Sequence, residues 1–288
     1  MSAWLLLRGL TRESRHWGEL PVRWRVAGLG DTAPLDLPGN GTACREPVPA
    51  RVEDMMEIVR GKARGAGLAP PHRILAMSLG AMVATAWAQR YPDEVAALVL
   101  INTSMRPFST APERLRPANW PALAGMALRW HDRAHCERVI HRLTCARRDT
   151  EAADVAAWQQ IANSAPVSRQ AAWRQLLAAA RYRAQASPPA CPTLIVTSGE
   201  DRLVNPVCSD RLARNWQARH VRQVRHPWAG HDLPHDDTGW LCTAVANWLS
   251  DNGEPYGLTA PISVSAAASS RSVLPNSRAA ISPFCSAP

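Results

Sequence analysis

Apolar residues along the chain fall into two kinds of block. Trp4 to Leu7, Arg73 to Met77, Ala97 to Ile101 and Pro192 to Thr197 are short, nearly continuous apolar runs bounded by turn residues, the mark of strands buried on both faces. Between them, Val52, Met55, Met56 and Val59 recur at helical spacing. Leu79 to Tyr91 is apolar on nearly every side, so it predicts a buried helix, and Pro92 ends it. Val22-Arg-Trp-Arg-Val26 alternates apolar and basic residues and predicts a half-exposed strand near a sheet edge. Leu35 to Gly41 is dense turn chemistry. Buried strands alternating with helices predict an α/β fold, a mostly parallel central sheet with helices on both faces.

The pattern changes after the third of these runs, Ala97 to Ile101. From about Arg106 to Ala186 only helical signals occur, with Trp120, Leu123, Ala127, Trp130, Trp158, Trp173, Leu176 and Leu177 as the large apolar anchors; Pro188-Pro189 closes the stretch. It reads as an all-helical insertion. The sheet resumes at Pro192. Asn205 is placed to cap a helix whose first residue is Pro206. Val221 to Val224 predicts a last strand, and Trp240, Leu241, Val245, Trp248 and Leu249 a final amphipathic helix. The expected organisation is a core of residues 1–105 and 187–250, a helical insertion of residues 106–186, and a disordered Ser/Ala/Pro-rich tail over 251–288.

Composition sets bounds. The chain has 288 residues, 46% hydrophobic and 20% charged, enough for one large domain with an inserted subdomain. The formal charge of +9 comes from 33 basic and 24 acidic residues, and Lys62 is the sole lysine. The arginines are scattered rather than clustered, which argues for a solvated surface and against nucleic acid or membrane as a partner. Seven widely spaced cysteines with no C-x-x-C pair argue against a disulfide framework and against a structural zinc site. No secretory leader and no apolar stretch long enough to span a membrane is evident, so a cytoplasmic protein is expected.

The chemistry concentrates at three strand ends. Ala76-Met-Ser-Leu-Gly80 lies between an apolar strand and the buried helix. A serine there sits on a sharp strand-to-helix turn with its Oγ above the sheet. A serine hydroxyl is a poor nucleophile by itself. It needs a base within hydrogen-bond reach and a third group to orient that base. Asp201 follows one strand in Gly199-Glu-Asp-Arg-Leu-Val204, and His231 follows the last in Ala229-Gly-His-Asp-Leu-Pro234. Both fall on loops past strand C-termini, where open α/β sheets place their sites.

Together with Arg8-Gly-Leu10 and Asp36-Leu-Pro-Gly-Asn-Gly41, these segments resemble the α/β-hydrolase family from about Trp4 to Ser250. The resemblance implies Ser78 as nucleophile, Asp201 as acid and His231 as base. It implies an oxyanion hole from the N–H groups of Leu10 and Leu79, and a helical cap formed by the insertion. It also implies hydrolysis of a carboxylic ester, lactone or thioester of a small to medium, partly hydrophobic acyl substrate through an acyl-enzyme, with no cofactor and no metal. Alternatives are an acyltransferase using the same triad and a non-catalytic ligand-binding member of the fold. Two positions depart from the family pattern. Arg8 stands where His is common, and the elbow opens with Ala76 instead of Gly. Arg8 could attract an anionic substrate or form an ion pair under the loop. His226 and His235 rival His231, and Glu200 rivals Asp201. His131 and His135, beside Cys136, have metal-like i, i+4 spacing but lack the carboxylate of H-E-x-x-H. Trp17 is placed to line the pocket mouth as a substrate-binding residue.

Overall fold

A computed structural model describes residues 3–252; the expected tail beyond Asn252 lies outside the described residues. Six strands, β1 (Trp4–Leu7), β2 (Thr32–Pro34), β3 (His72–Met77), β4 (Val95–Ile101), β5 (Thr193–Ser198) and β6 (Val221–His226), form one sheet in the order β2-β1-β3-β4-β5-β6. Every adjacent pair is parallel, so all C-terminal ends share one edge. The short strand β2 was not legible as a strand. It closes one margin of the sheet and ends in Pro34, a residue that central strands exclude. At the other margin β6 turns Arg222 and Arg225 to solvent, charges that blunt an open edge.

Alternation along the strands divides the core in two. Leu5, Leu7, Ile74, Ala76, Leu98, Leu100 and Ile195 face one side. Trp4, Leu6, Leu75, Met77, Val99, Ile101, Leu194 and Val196 face the other. On the first face pack α2 (Val52–Gly65), α3 (Leu79–Arg90) and α9 (Val207–Asn215). The second face is covered by α1 (Leu20–Val26) and α11 (Thr238–Asp251), with α10 (Leu233–Asp236) leading into α11. Covered on both sides, strands need apolar residues at every position, which is why the runs were continuous.

Residues 20–26 overturn the strand expectation. Leu20 and Trp24, four apart, are fully buried, while Val22 and Val26 are 65% and 75% exposed. The alternation came from two solvent-facing valines; the packing comes from the i, i+4 pair. Pro21 in the first turn costs the helix no hydrogen bond, and Trp24 meets Trp4 edge-on at 5.2 Å. At α9 the start lies one residue later than expected: Asn205 Oδ1 still accepts from a helical N–H, that of Val207 (3.1 Å).

Between β4 and β5 run α4 (Ala111–Arg114), α5 (Trp120–Leu128), α6 (Arg133–Thr144), α7 (Glu151–Ser164) and α8 (Arg169–Arg181). Not all the expected anchors are buried. Trp158 is, but Trp120 and Trp173 are more than half exposed and Leu176 is exposed as well. Polar residues do part of the anchoring instead. The fully buried Gln175 of α8 accepts from Thr11 N (2.9 Å) and donates to Pro38 O and Asn40 Oδ1 (2.9 and 2.8 Å). No helix among the described residues is long and apolar enough to cross a membrane.

Candidate active site

Ser78 ends β3 and begins α3 with φ 54° and ψ −116°, a backbone region that non-glycine residues enter only when their surroundings hold them there, at about 1–3 kcal/mol. The restraints are visible. Ser78 N donates to Ile101 O (2.9 Å), and the Thr103 hydroxyl donates to Ser78 O (3.1 Å). Gly80 lets α3 approach β1, because a Cβ there would collide with the carbonyl oxygens of Leu7 and Arg8. Ala76, where glycine was the family expectation, is fully buried without hindrance. The loop after β1 comes back over the serine, and a Cβ on Gly9 would stand 3.2 Å from Ser78 Cβ and 3.7 Å from its Oγ. Leu10 is the next residue of that loop, and Leu79 is the first residue of α3, whose N–H has no acceptor within its own helix.

Asp201 and His231 meet on the loops after β5 and β6. His231 Nδ1 lies 2.7 Å from Asp201 Oδ2, with both side chains almost wholly buried. The other carboxylate oxygen of Asp201 accepts from Leu203 N and Val204 N, 2.9 Å each. An acceptor held on both oxygens cannot swing away, so it fixes the imidazole orientation. The rivals separate cleanly. Glu200 is exposed. His226 is buried beneath the loop, its Nδ1 accepting from Ala229 N (2.9 Å) and its Nε2 beside Asp237 (3.3 Å). His235 points to Asp154 of α7 (3.0 Å). Among the described residues Ser78 Oγ makes no hydrogen bond, to His231 or otherwise; such bonds commonly tighten only with substrate in place.

Arg8 resolves in favour of the ion pair. Its guanidinium is buried and bidentate to Asp232, the neighbour of His231, at 3.0 and 2.6 Å. Burial alone would raise the Asp232 carboxyl, but the Arg8 charge holds it well below the usual carboxylate range. The pair ties the Gly9-Leu10 loop to the histidine loop.

Trp17 requires a correction. It is buried in the hydrophobic cluster with Trp4, Leu20 and Trp24, and its ring lies under Arg8 at 4.9 Å. It packs the core and does not line a pocket mouth. The sequence reading also missed Asn102, which follows β4 with φ 46°. Its amide donates to Ser198 Oγ (2.8 Å) and to the carbonyls of His231 (2.7 Å) and Gly230 (3.3 Å), while its Oδ1 accepts from Ser198 N. One buried side chain thereby binds the ends of β4 and β5 to the histidine loop. Only the Asn-Thr-Ser after a continuous apolar strand hinted at it.

Residues 33–238 match the family described as serine aminopeptidase S33. The chain belongs to this family of α/β-hydrolases. No curated protein matches the hydrolase in sequence. Among solved structures it is similar to a thermophilic esterase from Thermogutta terrifontis (24% identity, TM-score 0.63), covering 87% of this chain and 90% of that one. The enol-lactonase from Burkholderia xenovorans LB400 is similar at 17% identity and TM-score 0.68, covering 87% and 92%. A hydrolase from Pseudomonas aeruginosa PA01 is similar at 18% identity and TM-score 0.65, covering 86% and 89%. At these identities the likeness is one of fold.

Proposed function

We propose that the hydrolase cleaves a carboxylic ester, lactone or thioester of a small to medium, partly hydrophobic acyl substrate, with Ser78, His231 and Asp201 as its triad. The observation that carries this reading is the buried 2.7 Å bond between His231 Nδ1 and Asp201, on the same sheet edge as the strained turn of Ser78. Ser78 Oγ attacks the carbonyl carbon and gives its proton to His231 Nε2. Asp201 stabilises the imidazolium. The N–H groups of Leu10 and Leu79 donate to the developing oxyanion, each worth about 10²–10³ in rate. His231 then protonates the leaving alcohol or thiol, and water, with its proton drawn off by the same imidazole, releases the acid. Residues 106–186 act as a cap. Val167 and Ala171 from this segment share an apolar cluster with Leu79 and Met105, and Leu10 packs against it, a surface suited to an acyl chain.

The test is hydrolysis of p-nitrophenyl acetate and butyrate by the purified protein and by Ser78→Ala. A loss of at least about 10³-fold in the variant supports the assignment; equal turnover removes Ser78 as nucleophile. Aminoacyl p-nitroanilides belong in the same assay. Faster turnover of these than of the esters would replace the ester reading by an aminopeptidase one. If no substrate turns over, labelling of Ser78 by a fluorophosphonate separates a live triad of narrow specificity from a ligand-binding protein.

A further inference from the structure

We propose that His141, Cys145 and His235 form a binding site for a zinc-class divalent metal ion that braces the helical segment against the loop carrying His231. His141 stands in the last turn of α6, Cys145 directly follows that helix, and His235 lies on α10. One donor atom from each of the three lies within 4.8 Å of the other two. His141 is fully buried and Cys145 nearly so.

Two further observations point to a ligand. Nε2 of His141 and Nε2 of His235 both lie 3.0 Å from the same oxygen, Asp154 Oδ2 of α7. A carboxylate only accepts, so each ring donates through Nε2, and in the neutral imidazole the lone pair then resides on Nδ1. A carboxylate fixing the far nitrogen of a histidine is how metal sites orient their imidazoles. The second is that His141 Nδ1, deep in the protein, has no hydrogen-bond partner. Buried polar atoms in folded proteins mostly have a partner, and a metal ion would supply one here.

The donor set selects the ion. Two imidazoles and a thiolate suit zinc, cobalt or copper and not magnesium or calcium. In a tetrahedral zinc site the donors stand roughly 3.3–3.8 Å apart, so the three side chains would close by about 1 Å around the ion. Binding converts the Cys145 thiol to thiolate and releases its proton. A fourth position remains for water, and Trp158 walls the site, with its ring centre 5.4 and 5.3 Å from those of His141 and His235.

The site would act through the backbone around it. Asp232 N donates to Thr144 O (2.8 Å), and the Asp236 carboxylate accepts from Ala146 N, Arg147 N and Gly230 N. A Cβ on Gly230 would press against the main chain of residues 144–146. The segment holding Cys145 is therefore already seated on the loop of His231, and an ion bridging Cys145 to His235 would lock the two together without entering the reaction.

The test uses the untagged full chain, dialysed against chelator and titrated with Co²⁺. The expected result is one ion per chain, with a thiolate-to-cobalt charge-transfer band and the visible bands of a tetrahedral site, both bleached by Zn²⁺. Cys145→Ser should abolish the charge-transfer band, and Asp154→Asn should weaken zinc about 10–100-fold. His235→Gln, at the most accessible ligand, should weaken it as well, while His131→Gln should change nothing. Absence of a stoichiometric cobalt spectrum in the natural protein overturns the proposal, as does a charge-transfer band that survives Cys145→Ser. None of these readouts uses turnover, so the result is independent of the Ser78 assignment.

Discussion

Replacing Arg8 by methionine strips one partner from an ion pair that is nearly inaccessible on both sides, with side-chain exposures of 2% and 4%. Asp232 would keep its burial and lose both guanidinium bonds, of 3.0 and 2.6 Å. Breaking a buried pair by removing one member costs about 3–5 kcal/mol. Arg8 also lies over Trp17, but a methionine side chain retains part of that contact. At about 4 kcal/mol, and about 2–4 °C per kcal/mol for a domain of this size, Tm should fall by about 8–16 °C. The pH dependence carries a sign. In the natural protein the Asp232 carboxyl is depressed, so its contribution is present above the ordinary carboxylate range and lost as pH falls through the folded value. Without Arg8 the burial that raises it is opposed by the smaller pulls of His235 and Arg12, so the variant is penalised most at neutral pH and the gap narrows in acid. Urea unfolding followed by tryptophan fluorescence at about pH 7 and about pH 5 measures this. Arg8→Met/Asp232→Leu should recover most of the loss, because replacing a whole buried pair by apolar residues is close to neutral. A loss below about 1 kcal/mol in Arg8→Met, or a double variant no more stable than the single one, would refute the account.

Asn102→Ala should lower kcat by about tenfold or more and stability by about 1–3 kcal/mol, because it frees the carbonyl of His231 and leaves Ser198 N unsatisfied. Steady-state kinetics beside urea unfolding check both, and unchanged kcat would place Asn102 outside the positioning of the histidine loop. Gln175→Leu removes the acceptor of Thr11 N and the donor to Pro38 and Asn40. It should cost about 1–3 kcal/mol and slow ester turnover, whereas Gln175→Glu, which keeps the acceptor for Thr11, should recover more of the rate than of the stability. Glu94 receives two bonds of 2.7 Å from Arg60, and these, with Trp87 and Arg64, hold its carboxyl at about 2. Its stabilisation is complete above about 4.5 and disappears as pH falls through about 2. Arg60→Met should therefore flatten the acid side of the urea-midpoint profile while leaving ester hydrolysis unchanged at neutral pH.

Features that follow from local pattern were legible in the chain. A sheet covered on both faces demands continuous apolar strands, so β1, β3, β4 and β5 were legible, as were α2, α3 and α11. The order of Ser78, Asp201 and His231 along those strand ends was legible for the same reason, since a parallel sheet puts every strand terminus on one edge. Tertiary structure decided whatever depended on partners distant in the chain. Residues 20–26 became a helix because Trp24 had Trp4 to pack on, a contact that outweighs a weak alternation. Arg8 became a brace because Asp232, 224 residues away, met it in the core. Trp17 went inward to lie under that same guanidinium. Three histidines stood near the last strand, and only the fold separated the one facing Asp201 from the one supporting the turn and the one directed at Asp154. Composition and periodicity register burial and local geometry. They carry no record of which buried polar group will find which partner, and in this protein those pairings hold the candidate site together.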